Sequence, residues 1–399
     1  MGILMLKRPV DTGLDVLVEE KFSRLLGKRV AILANQASVD KNFHHIVPLA
    51  MRNGVNVVKL FAPEHGFGGS LQDMEHVGED VDENLRVPLI SLYGDHKESL
   101  KLKASHLADV DVLLCDLQDI GSRYYTFHCT IAWAMAACSA TNATLMVVDR
   151  PNPLNAITVE GNLVREPNFS FVGAYPLSNR HGFTMGELVC YVRDIYQASF
   201  PCEIIGMRNY VRSLYFDELD LAFIAPSPNM PTLNTAMVYP GMCLIEGTNL
   251  SEGRGTCTPF ELVGAPYIKD PQGFKKKIDR GQFAGAVTRA CHFKPKFHKH
   301  ADENCGGIFV HVVDRKQFKP LRFALGVIAS AMTYDGFDWR REPYEFETSR
   351  LAIDLLLGDN RLREMLEQQK PLDDIFAIFS DEEEQFLRVQ KDYHRYPAH

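Results

Sequence analysis

The sequence predicts an α/β protein in which a Rossmann-like, doubly wound and mostly parallel sheet is joined to a second, smaller α/β domain. Three observations predict this fold class. Short, mostly apolar runs recur along the first two thirds of the 399 residues, helical patterns separate them, and polar loops follow their ends. Runs that are apolar throughout suit a parallel sheet buried on both faces, and their alternation with helices indicates a doubly wound arrangement.

The predicted strands of this sheet are five apolar runs, at residues 29–34, 55–61, 89–93, 110–115 and 145–149. The Ala-rich stretch 131–139 has a helical pattern and lies between the last two runs. Helices of this kind are the crossover connections that parallel strands require. We therefore expect a Rossmann-like domain over residues 1–235.

After about residue 235 the pattern becomes irregular. The predicted elements there are a Gly-rich stretch at 246–266, a strand at 306–314, helices at 320–334 and 344–357, and a solvated final helix from residue 381. We expect this part, residues 236–399, to form a second, smaller α/β domain.

Composition and charge exclude several classes of protein. With 24 Phe and 14 Tyr the chain is too rich in aromatic side chains to be disordered. The formal net charge of -8 argues against a nucleic-acid-binding protein. No apolar run reaches the length of about 18 residues that a membrane-spanning helix needs. The nine cysteines are scattered, which predicts buried, reduced thiols rather than disulfides or a zinc site.

The first nine residues contain too short an apolar stretch for a signal peptide, and their basic residues follow that stretch. The compartment therefore stays open between the cytoplasm and, after removal of a leader, the periplasm or the exterior. The sequence does not predict an oligomeric state.

Motifs for the common cofactors are absent. The loop after the first predicted strand, residues 35–40, has no glycine, although a dinucleotide pyrophosphate needs glycines there for close backbone approach. Phosphate-loop, zinc-helix and nucleophile-elbow motifs are also missing. We therefore expect no cofactor and no metal, and these absences favour acid–base chemistry by carboxylates.

Candidate site residues follow three of the predicted strands, where ligands bind in open α/β sheets. They are Glu64 and His65 in loop 63–69, Asp119, Arg123, Tyr124 and Tyr125 in loop 116–126, and Asp149 and Asn152 in loop 149–153. Structural alternatives exist for each loop. His65 could cap a helix, Asp119 and Arg123 could form an ion pair, and the third loop could be a plain turn.

Further candidates come later in the chain, and each again has a structural alternative. They are Glu160, beside a glycine; His181, near a possible capping box of Thr184 and Glu187; Asn229, in the rigid loop 226–232; and Asn249, Glu252 and Arg254, in the Gly-rich stretch. That stretch could also be a connection between domains. The segment 298–300 is expected to be solvated.

Taken together, these motifs resemble the NamZ-type exo-β-N-acetylmuramidases, a bacterial family of glycoside hydrolases formerly described as a domain of unknown function. The matching segments, in order, are 63–66, 91–94, 118–126, 149–153, 159–161, 170–173, 180–182, 226–229, 246–249 and 254–256. The resemblance runs from about residue 13 to at least residue 266. Two positions depart from the family pattern: Gly68, where an arginine is frequent, and Asn155, where a glycine is common.

The resemblance implies a site in the cleft between the two domains and release of N-acetylmuramic acid from the non-reducing end of peptidoglycan fragments, or muropeptides. Such hydrolysis needs an acid and a second carboxylate. We expect Glu64 and Glu160 to form this pair, with Asp119 in reserve. The sequence leaves open which glutamate is the acid and whether the enzyme retains or inverts the anomeric configuration.

The substrate's lactyl carboxylate is expected to meet Arg123, or Arg254 in second place. Tyr124 and Tyr125 are expected to pack on the sugar, and His65 and Asn229 to bond its hydroxyls or acetamido group. The alternative function is a non-catalytic binder of muropeptides. A nucleotide-dependent transferase is disfavoured by the glycine-free loop.

Overall fold

The computed structural model describes residues 9–66, 80–82, 87–92, 97–344 and 346–399. Its strands in these ranges are β1 (Arg29–Ala34), β2 (Asn56–Ala62), β3 (Asp80–Asp82), β4 (Val87–Ser91), β5 (Val112–Asp116), β6 (Thr144–Val148), β7 (Glu160–Leu163), β8 (Ser178–Arg180), β9 (Cys202–Ile205), β10 (Leu262–Ala265), β11 (Ala286–Phe293) and β12 (Cys305–Val312). Its α-helices in the same ranges are α1 (Gly13–Glu19), α2 (Ile46–Arg52), α3 (Phe127–Ser139), α4 (Met185–Ile195), α5 (Leu233–Met242), α6 (Pro271–Asp279), α7 (Pro320–Ala331), α8 (Ala352–Leu357), α9 (Asn360–Glu367) and α10 (Leu372–Gln390).

The main sheet has the strand order β3-β4-β2-β1-β5-β6-β9. Six of these strands pair in parallel, and β3 joins the edge strand β4 antiparallel. The strand order reverses between β1 and β5, which is the topological switch point of a doubly wound sheet. The α/β fold class predicted from the sequence is therefore confirmed, and all five predicted strands are present.

The main sheet is covered on both faces, which explains why its strands are apolar throughout. In β1, Ala31 and Leu33 contribute to one buried cluster, whereas Val30 and Ile32 contribute to another on the opposite face. Successive side chains of a strand point to opposite faces, so a strand between two cores must be apolar at every position.

The C-terminal part contains a three-stranded antiparallel sheet of order β10-β12-β11 with helices around it. The predicted strand at 306–314 corresponds to β12 and the predicted helix at 320–334 to α7. The predicted helix at 344–357 is wrong in its first half, because Tyr344 and Glu347 form a β-bridge and only α8 is helical. The final helix, α10, begins earlier than predicted. Among the described helices, none is both long and apolar enough to traverse a lipid bilayer.

Asn155 occupies a left-handed turn, with a φ angle of 65°. Its Oδ1 accepts hydrogen bonds from the backbone N–H of Ile157 at 3.1 Å and of Thr158 at 2.9 Å. Asparagine tolerates this conformation and stabilises the turn with its own side chain, so it can stand in for glycine here. The other departure, Gly68, lies outside the described residues, as do Tyr93 and Gly94 of a matching segment.

Candidate active site

A cleft lies at the carboxyl ends of β2 and β5 and is closed by segments of the C-terminal part. Six side chains predicted from the sequence line it, namely Glu64, His65, Tyr124, Tyr125, Asn229 and Arg254. Further lining residues that the prediction did not name include Thr126, Tyr239, Glu246, His298, Arg340 and Tyr344. The cleft therefore combines carboxylates, cations and aromatic rings, which suits a polar ring-shaped ligand.

Glu64 lies two residues after β2, in a tight turn closed by a hydrogen bond from the backbone N–H of Gly66 to the carbonyl oxygen of Pro63. The residue is 9% exposed. The hydroxyl of Thr126 donates to its Oε2 at 2.5 Å, and Oε1 lies 3.8 Å from Nε2 of His65. A carboxylate held in this way presents a fixed oxygen at the cleft wall.

A second carboxylate of the cleft belongs to Glu246, in the short 3-10 helix that follows α5. Its Oε1 accepts from Nη2 of Arg254 at 2.6 Å, and its Oε2 accepts from the hydroxyl of Tyr344 at 2.8 Å. A guanidinium partner favours the ionised form of a carboxylate. Glu64, with a hydroxyl donor, and Glu246, with a guanidinium, therefore have different electrostatic surroundings.

Glu252 is fully buried behind the cleft and anchors three basic side chains. Its oxygens lie 3.3 Å from Nε of Arg254, 3.2 Å from Nδ1 of His298 and 3.0 Å from Nζ of Lys299. Burial opposes ionisation, but Lys299, His298 and Arg254 together hold the pKa of Glu252 below its ordinary value. Glu252 was predicted as a substrate ligand; it instead positions cleft residues from behind.

Lys299 was expected to be solvated, and that expectation is wrong. Its ammonium donates to the backbone carbonyl oxygens of Ile245, Glu246 and Leu250, at 3.0, 3.3 and 3.0 Å. These bonds fix the segment that carries the Glu246 carboxylate. The neighbouring His298 lines the cleft.

Aromatic rings form the apolar walls of the cleft. The ring of Tyr125 packs edge-on against Tyr239, with a centroid distance of 6.0 Å, and Tyr239 packs against Phe260 at 4.7 Å. Burial raises the pKa of the phenols of both Tyr125 and Tyr239, so they stay neutral. Such rings can pack on the apolar face of a sugar.

Comparison with protein families gives two matches that follow one another along the chain. A model of the N-terminal part of the exo-β-N-acetylmuramidase NamZ matches residues 30–234, and a model of its C-terminal part matches residues 237–396. The chain belongs to the NamZ family of exo-β-N-acetylmuramidases. The family indicated by the sequence motifs is thereby confirmed, and it is a family of glycosidases.

Individual NamZ relatives agree with this assignment. The peptidoglycan β-N-acetylmuramidase NamZ of Bacillus subtilis (strain 168) is 36% identical over 389 residues, which are 97% of this chain and 92% of the relative. A crystal structure of a DUF1343 family protein from Bacteroides fragilis NCTC 9343 is similar with a TM-score of 0.86, 27% identity, and coverage of 97% of this chain and 99% of that one. A second such protein has a TM-score of 0.76, 26% identity and coverage of 98% and 100%.

Glu160 does not enter the cleft of this NamZ-family chain, so the expected Glu64–Glu160 pair is not formed. Glu160 is fully buried, and its Oε1 accepts from the backbone N–H of Leu321 at 3.1 Å and of Arg322 at 3.2 Å. These N–H groups belong to the first turn of α7, where a helix lacks its own acceptors. Burial raises the pKa of Glu160 to about 7. The carboxylate therefore caps a helix and is sealed from a sugar.

Asp119, the reserve carboxylate, is also buried and does not line the cleft. Its Oδ2 accepts from the backbone N–H of Gly121 at 2.5 Å and lies 3.3 Å from Nε2 of His181. The backbone N–H of Phe183 donates to Nδ1 of His181, which assigns the ring proton to Nε2, facing Asp119. Asp119 thus pairs with His181. The ion pair between Asp119 and Arg123, which was the structural alternative for these two residues, is not formed.

Arg123 was the preferred partner of the substrate carboxylate, and the structure places it elsewhere. Its fully buried guanidinium donates to four backbone carbonyl oxygens at 2.7–3.0 Å, those of Asn162, Leu177, Leu356 and Leu357. Burial lowers its pKa to about 10. Arg123 therefore joins the loop after β5 to the end of α8 and is not available to a substrate.

The remaining predicted ligands either hold neighbouring loops through buried hydrogen bonds or lie in a recess beside the cleft. Asp149 is buried and accepts from the backbone N–H of Gly186 and from the hydroxyl of Thr184, and burial raises its pKa to about 6. Asn152 is buried and donates to the carbonyl oxygen of Phe183. Asn249 lies in a recess beside the cleft.

Proposed function

We propose that this chain is an exo-acting glycoside hydrolase that releases N-acetylmuramic acid from the non-reducing end of peptidoglycan fragments. Family membership and the 36% identical Bacillus relative, named as a peptidoglycan β-N-acetylmuramidase, support the substrate class. The observation that carries the proposal is the presence of Glu64 and Glu246 in one aromatic-walled cleft.

The two carboxylates take different parts in the proposed reaction. Glycoside hydrolysis passes through an oxocarbenium-like transition state and needs a proton donor at the leaving oxygen. Glu64, whose Oε2 accepts from the hydroxyl of Thr126, donates that proton as the glycosidic bond breaks. A water molecule then adds to the anomeric carbon, and its surplus proton restores the acid form of Glu64. Glu246, which accepts a hydrogen bond from the guanidinium of Arg254, stabilises the positive charge that develops on the sugar.

The cleft residues from both parts of the chain would hold the sugar. Tyr125 and Tyr239 pack on its apolar faces, and Asn229 and His65 bond its hydroxyl or acetamido groups. In the proposed division, the domain of residues 1–235 supplies the acid Glu64. The domain of residues 236–399 supplies the anion and closes the cleft.

The first test compares wild type with Glu64→Gln on 4-nitrophenyl β-N-acetylmuraminide. We expect kcat to fall by about 10²–10⁴-fold, the usual contribution of a general acid. A matched control is Glu160→Gln, another nearly isosteric change at a buried glutamate, which should keep most of the activity. Near-normal turnover by a folded Glu64→Gln variant would remove Glu64 from the mechanism.

The second test separates hydrolysis from binding alone. The protein is incubated with the disaccharide in which N-acetylmuramic acid is β-1,4-linked to N-acetylglucosamine, and the products are analysed by mass spectrometry. Free N-acetylmuramic acid is the expected product. Binding of the disaccharide with no release would instead indicate a muropeptide-binding protein.

A further inference from the structure

The cleft contains two arginines from the C-terminal part, and they differ in how far the protein already compensates their charge. Arg254 donates to Oε1 of Glu246 at 2.6 Å, and its Nε lies 3.3 Å from Oε1 of Glu252. Its guanidinium also packs on the ring of Phe260, at 5.2 Å from the centroid. Two carboxylates of the protein therefore neutralise Arg254 before any substrate binds.

Arg340 has a different environment. It is half-buried in the segment that follows α7, its Nη2 donates to the carbonyl oxygen of Pro343 at 3.0 Å, and its guanidinium carbon lies 5.2 Å from the ring centroid of Tyr344. Among the described residues, no Asp or Glu forms an ion pair with Arg340. A cation that lines a cleft without a carboxylate partner is suited to an anionic ligand.

Tyr344 links this cation to the proposed catalytic anion. Its hydroxyl donates to Oε2 of Glu246, and its ring supports the guanidinium of Arg340. The orientation of Arg340 is therefore tied to that of Glu246. Arg340 also lines the neighbouring recess, which puts it at the boundary between the cleft and that recess.

Building on the proposed function, we propose that Arg340 binds the lactyl carboxylate of the substrate and so selects muramyl over glucosaminyl ends. N-acetylmuramic acid differs from N-acetylglucosamine by a lactyl ether that ends in a carboxylate. The carboxylate of Glu246 would repel that anion in the same cleft unless a cation offsets it. A guanidinium meets a carboxylate with two parallel N–H donors, which gives geometric selectivity as well as charge.

The test uses three chromogenic substrates: 4-nitrophenyl β-N-acetylmuraminide, its lactyl carboxamide, and 4-nitrophenyl β-N-acetylglucosaminide. For Arg340→Ala, we expect kcat/KM on the carboxylate substrate to fall by about 10–100-fold, the size of a charge-assisted hydrogen bond. On the two uncharged substrates the change should stay below about threefold, because they lack the group that Arg340 binds. Arg340→Lys keeps the charge without the planar fork. Its kcat/KM on the carboxylate substrate should lie between the values for wild type and for Arg340→Ala.

Arg341→Ala is the matched control, because Arg341 is the adjacent residue but is exposed and paired with Asp338 at 3.0 Å. It should leave all three rates unchanged. Equal losses by Arg340→Ala on the carboxylate and carboxamide substrates, or no loss on either, would overturn the role of Arg340 while leaving the muramidase proposal intact. A wild-type protein that is inactive on the muraminide would overturn the proposed function itself.

Discussion

Thr126 stands at the N-cap position of α3, yet its hydroxyl donates to Oε2 of Glu64 and makes no capping bond to the helix backbone. Threonine at this position usually caps its own helix. Here the hydroxyl of Thr126, in the loop after β5, instead holds the carboxyl group of Glu64, in the loop after β2. The pair thus connects the two strand-end loops that form one wall of the cleft.

Replacing Thr126 by valine should therefore reduce activity with little effect on stability. Thr126→Val removes the donor that orients Glu64 but keeps the side-chain shape, and we expect kcat on 4-nitrophenyl β-N-acetylmuraminide to fall by about tenfold. The control is Thr130→Val, one turn later in α3, where the hydroxyl donates to the backbone carbonyl oxygen of Thr126. Equal kcat values for both variants and wild type would show that Thr126 does not position the carboxyl group.

Replacing Arg123 should have the opposite pattern, a loss of stability with an unchanged KM. In Arg123→Met, four buried carbonyl oxygens each lose the hydrogen bond from the guanidinium, and we expect the free energy of unfolding to fall by about 3 kcal/mol or more. Urea unfolding measures this loss. Arg193→Met, on the exposed side of α4, should change stability by no more than about 0.5 kcal/mol.

The contrary outcome for Arg123 is also specific. If Arg123→Met unfolded at the same urea concentration as wild type but had a raised KM for the muraminide, the guanidinium would contact substrate after all. The expectation from sequence would then be restored, and Arg340 would lose its proposed role.

The fold could be predicted from sequence because its signal is local. A strand buried on both faces must be apolar at each position, so β1 and β5 are visible in the sequence alone. The edge strand β9, Cys202–Ile205, is only partly buried and was not predicted. The segment before α8 has no local signal for the β-bridge that replaces the predicted helix.

The site was predicted only in part, because the local sequence around a charged residue does not show which distant groups the side chain contacts in the fold. Glu160 is sealed by backbone N–H groups about 160 positions later, and Arg123 by carbonyls more than 230 positions later. Glu246 is the first residue of the Gly-rich stretch 246–266, so its carboxylate is within reach of prediction from sequence. Arg340 and Tyr344 lie in an irregular segment without a motif, and only the fold brings them to the cleft.

The burial of the Glu160 carboxyl group predicts a pH-dependent stability that a glutamine would remove. Its pKa, raised by burial from an ordinary 4.5 to about 7, means that the folded state favours the neutral form. Its contribution to stability is therefore full below pH 4.5 and is lost as the pH rises to about 7. In Glu160→Gln the side-chain oxygen still accepts from α7 but no longer ionises. We measure the free energy of unfolding of both proteins by urea denaturation at several pH values. The difference, variant minus wild type, should increase by roughly a few kcal/mol between pH 4.5 and 7.

Subtracting the wild-type curve isolates Glu160, because Asp149, which is also buried and has a pKa raised to about 6, is present in both proteins. Turnover of Glu160→Gln at each pH should follow that of wild type as long as both are folded, since the side chain does not line the cleft. Two parallel stability curves would refute the raised pKa. A large loss of kcat at unchanged stability would instead return Glu160 to the catalytic pair, and the assignment of Glu246 as the stabilising anion would then be wrong.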